Sequence, residues 1–457
     1  MKTKNSEMLN NMDVKKLLIK LSIPATMGMM VNGLYNLMDT LFVAVSEGEY
    51  AIGALAFAFP VQMIVMAIGL MIGIGAASVF SRAYGSNDQE LMKSTVNAAL
   101  RFDVIAALLV SVLAFVFLKD LLLFFGASEG NYQFSYDYLS VILVGLVPLT
   151  LSMVLNNLTR AEGRANIAMK AMILGTGLNI LLDPIFIFDW GLGMGVRGAA
   201  IATVSSQIIA FLYIFRQSFA KDSVLRISLK KFFFIELKTV RKIVVIGAPT
   251  FIRNSIGALI AILIYKIIEY YTGDTSELYI SMYGVINRII FFVFMPAFGL
   301  VQGLTPIAGF NYGAKNYKRL RDVIIYTTKL ITIYFIFGLI FIQLYSPLIF
   351  DVFSKNDDVF FITYGSNAFR TMSWGILIVG FQIILGSVYQ SFGYPRRAML
   401  ISLSRQLIFF VPIVFIMTYI LGLDGLWYSF IIADILSGLL SLFMLRHELK
   451  VLKIKSQ

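Results

Sequence analysis

The sequence predicts an all-α integral membrane protein: twelve transmembrane helices in two parallel-repeat six-helix bundles. Three observations carry that reading. Of 457 residues, 58% are hydrophobic and only 14% charged, against about 25% charged in soluble proteins, so a soluble core has no room for the apolar surface. Apolar stretches of roughly 20–30 residues recur about twelve times, each long enough for a hydrocarbon layer of about 30 Å. The two halves of the chain also repeat one plan. Leu21-Ser22-Ile23-Pro24-Ala25 is answered by Ile246-Gly247-Ala248-Pro249-Thr250, and Ala83-Tyr84-Gly85 by Asn311-Tyr312-Gly313. Gly163 is answered by Gly393, and Gly195-Val196-Arg197-Gly198 by Gly422-Leu423-Asp424-Gly425, at an offset that stays between about 225 and 230 residues. Six spans per copy is an even number, so both copies enter from the same side. Parallel halves of this kind are an architecture of alternating-access transporters.

The spans fall near 17–45, 51–81, 94–118, 135–159, 165–188 and 195–215, then 243–271, 278–310, 322–346, 360–391, 396–420 and 424–445. The first follows a polar, Lys-bearing start and is too long for the apolar core of a signal peptide. This divides the chain into an N-terminal six-helix bundle (1–216), a linker (217–242), and a C-terminal bundle with a basic tail (243–457). Within the linker, Lys230-Lys231-Phe232-Phe233-Phe234 fits a short amphipathic helix lying on the inner leaflet.

The net charge of +12 is a topology signal rather than a nucleic-acid footprint. Most Lys and Arg sit at the N-terminus, in the even-to-odd loops and in the tail. The loop between spans six and seven alone holds Arg216, Lys221, Arg226, Lys230, Lys231, Lys238, Arg241 and Lys242. The opposite loops hold Lys119, Arg197, Lys266 and Lys355 against eight acids. The positive-inside rule puts both termini in the cytoplasm of a cell-membrane protein, with anionic lipid as a contact of the basic loops.

Ionisable groups inside spans mark function by default, because a charge in lipid costs several kcal/mol. Asp39 in span one follows Asn32 and Asn36 at helical spacing, so the three share a face. Asp183 in span five lies four residues after Asn179 and directly before Pro184. Two carboxylates with amide oxygens around one cavity suit Na⁺. The same pair suits a shared proton, since like charges close together raise one proton affinity. Interhelical hydrogen bonding without ion exchange is the plainer alternative. Pro24 removes a backbone donor from span one and permits a bend there.

Asn179-Ile180-Leu181-Leu182-Asp183-Pro184, the turn Gly198-Ala199-Ala200-Ile201-Ala202-Thr203 and the preceding Arg160-Ala161-Glu162-Gly163 resemble the multidrug and toxic compound extrusion (MATE) family. The resemblance runs from Pro24 to the Gly422–Gly425 turn. It implies two six-helix bundles, cation-coupled export and an N-lobe cation site, which carries over onto Asp39, Asn179, Asp183 and Thr203. Some branches of the family place acids in spans seven and ten. Here the first position is Gly257, and 360–391 holds no acid, so the chain resembles branches that couple through the N-lobe. Asn156 and Asn157 match further polar cavity positions of those branches, with helix–helix hydrogen bonding as the alternative. Arg288 occupies a common type of position in the family.

Arg253 and Arg370 match no family position. They either snorkel or pair with carbonyls, or make the C-terminal bundle positive and receptive to anionic or zwitterionic cargo. Gln62 and Gln302 suit a polar spot in a greasy cavity built from Phe, Tyr and Met. Catalysis finds little footing: there is no Cys, the lone His447 lies in the tail, and no phosphate-cradling Gly-rich loop precedes a Lys. The sequence therefore points to a monomeric antiporter without cofactor, coupled to H⁺ or Na⁺ and exporting small amphipathic compounds. A flippase for lipid-linked saccharide precursors is the alternative, and a lipid-modifying membrane enzyme a more distant one.

Overall fold

Each predicted span is a helix in the computed structural model, which describes residues 4–47, 49–124, 132–225, 227, 236–354 and 358–457. A short helix absent from the sequence reading, α1 (Lys4–Asn11), precedes the spans. Its Met8 and Leu9 lie against Gly163, and Leu9 is fully buried. Asp13 then starts α2 (Val14–Glu47) by accepting the amides of Lys15 and Lys16, each at 3.1 Å. Those backbone donors hold its carboxyl below the usual range.

Spans two and three are α3 (Glu49–Gly85) and α4 (Gln89–Val116) with its continuation α5 (Leu118–Phe124). Span four is α6 (Tyr132–Val144) plus α7 (Leu146–Ala161), and spans five and six are α8 (Ala165–Ile187) and α9 (Gly195–Gln217). The second set comprises α10 (Leu237–Thr272), α11 (Ser276–Gly313) and α12 (Tyr317–Phe353), then α13 (Val359–Ser373) plus α14 (Ile376–Phe392). Span eleven is α15 (Pro395–Leu403), a π-helical segment (Ser404–Phe410) and α16 (Val411–Leu421); span twelve is α17 (Asp424–Lys455). The Lys230–Phe234 run lies outside the described residues. Large apolar side chains such as Val116, Leu181 and Phe443 remain about two-thirds or more exposed on outer faces, a cost that only a lipid surround removes.

Spans four and ten, read as continuous in the sequence, are broken: α6 meets α7 at 51°, and α13 meets α14 at 48°. In span four Pro148 cannot donate to the Val144 carbonyl, which helps open the α-helical ladder at the bend. Span ten has no proline near its bend, and neither ladder runs through its break as i→i−4 bonds. The α-helical ladder tightens instead to i→i−3 bonds, Gly145 N to Ile142 O (2.9 Å) and Gly375 N to Met372 O (3.4 Å). At each break a glycine admits a side chain from the sixth helix of its half. A Cβ on Gly145 would lie 2.6 Å from Val204, and one on Gly375 would run into Asp434. Gly145 and Gly375 are equivalent in the repeat, and so are Val204 and Asp434. The turns repeat as well: Gly163 and Gly393 both have left-handed φ (88° and 77°), as do Asn87 and Lys315 (59° and 56°). Asp88 and Asn316 cap the following helices.

The first and last six helices meet along a seam of small residues, α2 against α11 and α3 against α10 and α11. Gly299 and Gly303 of α11 take Thr26 and Ser22 of α2 against their backbone, and Gly75 of α3 takes Ile243 and Gly247 of α10. These two crossings are the repeat's images of each other. Ser78 Oγ donates to Gln390 O (2.5 Å) and Arg82 Nη1 to Phe392 O (2.9 Å). The side-chain hydrogen bonds of Ser22, Ser78, Arg82 and Arg319 across the halves lie toward the ends that carry the basic loops. There the α7–α8 turn is tied to the start of the linker. Glu162, fully buried, accepts from Ser223 Oγ (3.1 Å), Val224 N (2.9 Å) and Arg164 Nη1 (3.0 Å).

Candidate functional site

Within the first six helices, the last turns of α8 face α9. The chain reverses between them through Gly193 and Gly195, both with positive φ, and Gly198 lets the Phe186 carbonyl approach its Cα. This close approach sets Thr203 opposite Asn179 and Asp183. All three are buried, at 3%, 2% and 0% exposure. Asn179 Nδ2 donates to Asp183 Oδ1 (3.0 Å), one helical turn on, and to Thr203 Oγ1 (3.2 Å) across the helix pair. That orientation of the amide is fixed by its surroundings, because turning it over would set its oxygen against a carboxylate.

With both donors committed, Asn179 Oδ1 is left buried and without a hydrogen-bond partner among the described residues. The site therefore gathers a carboxylate, an amide oxygen and a hydroxyl in a setting where an unmatched acceptor is costly. A proton or a small oxygen-loving cation fits that set of acceptors. The side chains of Asn32, Asn36 and Asp39 lie outside the described residues; their helix, α2, packs against α8. Pro24 is buried in α2, between the two seam contacts at Ser22 and Thr26.

The other predicted residues are spread more widely. Gln62 of α3 reaches Tyr138 Oη at 3.5 Å. Asn156 donates to the Ala168 carbonyl of α8 (3.0 Å) and Asn157 to Met153 O of its own helix (2.9 Å), while Asn157 Oδ1 accepts from Arg160 (3.2 Å). The pair thus makes hydrogen bonds within and between helices. Gln302 sits in the seam, its Nε2 3.1 Å from Met29 Sδ of α2. Arg288 is exposed, on the α11 face whose later turns, Met295, Gly299 and Gly303, meet α2. Arg370 is held by the Gln343 carbonyl (2.9 Å), and Gln343 Nε2 returns a bond to Arg370 O (2.8 Å). Carbonyl pairing accounts for its Nε.

Two buried acids inside the spans, Asp103 and Asp434, escaped the sequence reading; Glu162, quoted there only within a family motif, and Glu448 of α17 are buried as well. Asp103 of α4 is fully buried beside Thr150 of α7. Asp434 of α17, 3% exposed, pairs with Arg405 of the π-helical segment through Nε–Oδ1 at 2.5 Å and Nη2–Oδ2 at 3.4 Å. Glu162 lies just outside the spans, in the α7–α8 turn. The signal for the first two was available: each is an acid nine or ten residues inside a predicted span, without the neighbouring amides that drew attention to Asp39 and Asp183.

Two six-helix repeats packed along a common seam, with a buried acid inside the first, form the architecture of a membrane transporter. The MatE family model matches the chain twice, over residues 24–185 and 255–416, once in each repeat, and the chain belongs to this family. It is a multi-pass membrane transporter and not an enzyme. The multidrug export protein MepA of Staphylococcus aureus (strain MSSA476) is 25% identical over 441 residues, 96% of this chain and 95% of that protein. The MATE multidrug transporter DinF-BH, solved in complex with rhodamine 6G, is 35% identical, covers 98% of both chains and superposes with a TM-score of 0.88. A MATE transporter crystallised in the bent conformation is 27% identical, covers all of both chains and superposes with a TM-score of 0.91.

Proposed function

We propose that the protein is a cation-coupled antiporter of the cell membrane that exports amphipathic drugs or toxic compounds by alternating access. In this reading residues 1–216 and 243–457 are its two moving bundles, the 217–242 linker joins them, both termini are cytoplasmic, and one chain suffices. The observation that carries the coupling is the buried oxygen cluster of Asn179, Asp183 and Thr203, whose Asn179 amide oxygen has no hydrogen-bond partner among the described residues. Export of drugs is supported by the likeness to MepA and to DinF-BH.

With the basic loops as the cytoplasmic side, the contacts of Ser22, Ser78 and Arg82 across the seam hold the halves together toward that side. An entering H⁺ or Na⁺ meets Asp183, and Asp39 from α2, and changes the charge between α2 and α8. That change favours a different curvature of α2 about Pro24, which contracts the N-terminal cavity and releases cargo to the outside. Return of the cation to the cytoplasm resets the pair. A tenfold cation gradient supplies about 1.4 kcal/mol per ion, so a modest gradient drives cargo outward.

The test uses the purified chain in proteoliposomes, with a pH gradient and a Na⁺ gradient imposed separately. One of the two is expected to drive accumulation of rhodamine 6G, with counter-movement of the driving ion. Accumulation under neither gradient would remove the coupling from this reading.

A further inference from the structure

The last six helices contain a cationic site that the coupling reading does not use. Arg253 lies on α10 between two positions that look into this half. One turn before it, Thr250 accepts a hydrogen bond from Gln390 Nε2 of α14 (2.8 Å). One turn after it, a Cβ on Gly257 would lie 3.6 Å from Gln406 Nε2, on the π-helical segment. Arg253 therefore points into the interior of this half rather than toward lipid. It is only partly buried, and among the described residues it has neither an ion pair nor a hydrogen bond.

Next to Gln406, Arg405 holds Asp434, whose side chain packs on the backbone at the Gly375 break. The Asp434 side chain is 5% exposed and that of Arg405 33%, so the acid is spent inward while part of the guanidinium still faces accessible space. Two arginines thus stand against one buried carboxylate, and the second cation has no counter-charge. π-helical insertions of this kind often mark functional positions. The equivalent helix pair of the first half, α8 and α9, carries the Asn179–Asp183–Thr203 cluster. One repeat therefore presents an acid among amide and hydroxyl groups between its fifth and sixth helices, and the other an Arg405–Asp434 pair with Arg253 on its first helix.

The geometry points to a binding site in the C-terminal half for an anionic oxygen group, a carboxylate or phosphate, with Arg253 as its principal contact and Arg405 beside it. The inference rests on the export reading and specifies its cargo: amphiphiles that carry an acid as well as those that do not. A guanidinium without a partner in a desolvated site gains most from such a group.

Rhodamine 110 and rhodamine 123, a free carboxylic acid and its methyl ester, form a matched pair of probes. Binding of each to the purified chain is read by fluorescence anisotropy, with uptake into proteoliposomes in parallel. Arg253→Gln is expected to weaken binding of the free acid about tenfold and leave the ester unchanged, while Arg253→Lys restores part of the loss. Arg370→Gln, which removes only a contact to a carbonyl, is expected to leave the acid-to-ester ratio as it is. Phosphatidylglycerol added to the micelles separates the two sources of anion. Competition with rhodamine 110 in the wild type but not in Arg253→Gln shows the site taking a lipid phosphate too. Equal loss of both dyes in Arg253→Gln, no loss of either, or an equal effect of Arg370→Gln would overturn the proposal. Failure of the wild type to transport the ester would instead count against the export reading itself.

Discussion

Glu162 illustrates how one buried side chain ties the loops of a membrane protein together. It accepts from Ser223, Val224 and Arg164, yet burial still raises its proton affinity above the ordinary carboxylate range. The folded turn therefore holds a proton at pH values where the unfolded chain has lost it. Its contribution to stability is full below the unfolded carboxylate range and declines as pH rises through the raised value. Glu162→Gln cannot ionise, so its melting temperature is expected to fall less than that of the wild type as pH rises from about 4 to about 8. Glu162→Ala leaves Arg164 buried with only the exposed Asp222 as counter-charge, and is expected to cost about 3 kcal/mol. Thermal melts of the three proteins in detergent decide it, and parallel curves for wild type and Glu162→Gln would contradict the assigned ionisation.

At the scale of elements, the seam and the broken helices determine what can move. Pro24 leaves the carbonyl of Lys20 without its usual helical donor, and on either side of it Ser22 and Thr26 press on Gly303 and Gly299. Bending of α2 at this point is therefore coupled to the grip between the halves. Pro24→Ala restores the donor and is expected to slow export severalfold while leaving cargo affinity close to the wild-type value. Initial rates in proteoliposomes, set beside dye anisotropy, separate the two quantities. Wild-type rates would mean that rigid rocking suffices without the bend.

The same elements show what could be read in advance. Span positions, the repeat and the Asn179–Asp183 pair follow from local spacing and were legible. Thr203 was reached only through family resemblance, because its partner lies on another helix. The break at Gly145 had a local marker in Pro148, three residues on, whereas the one at Gly375 had none for a related reason. Glycine is common in membrane helices, and here the break accompanies an approach by Val204 or Asp434 from a later helix of the same half. Asp434 and Arg405 were passed over separately, since neither has a charged neighbour in sequence to reveal the pair.

For the whole molecule, the halves share one architecture but differ in charge. The first encloses an acid among amide and hydroxyl groups, and the second encloses arginines in excess of its acid. In the alternating-access reading, ligands that favour one half's shape shift the balance between its outward and inward states. The central claim is that Asp183 links the ion to the cargo. Its most direct test compares wild type and Asp183→Asn in proteoliposomes, reading dye exchange at equilibrium and dye accumulation under the driving gradient. Asn keeps the volume and removes the charge. The account predicts that the variant still exchanges dye down its own gradient but no longer accumulates it when the ion gradient is imposed. Accumulation at the wild-type level by Asp183→Asn would contradict it.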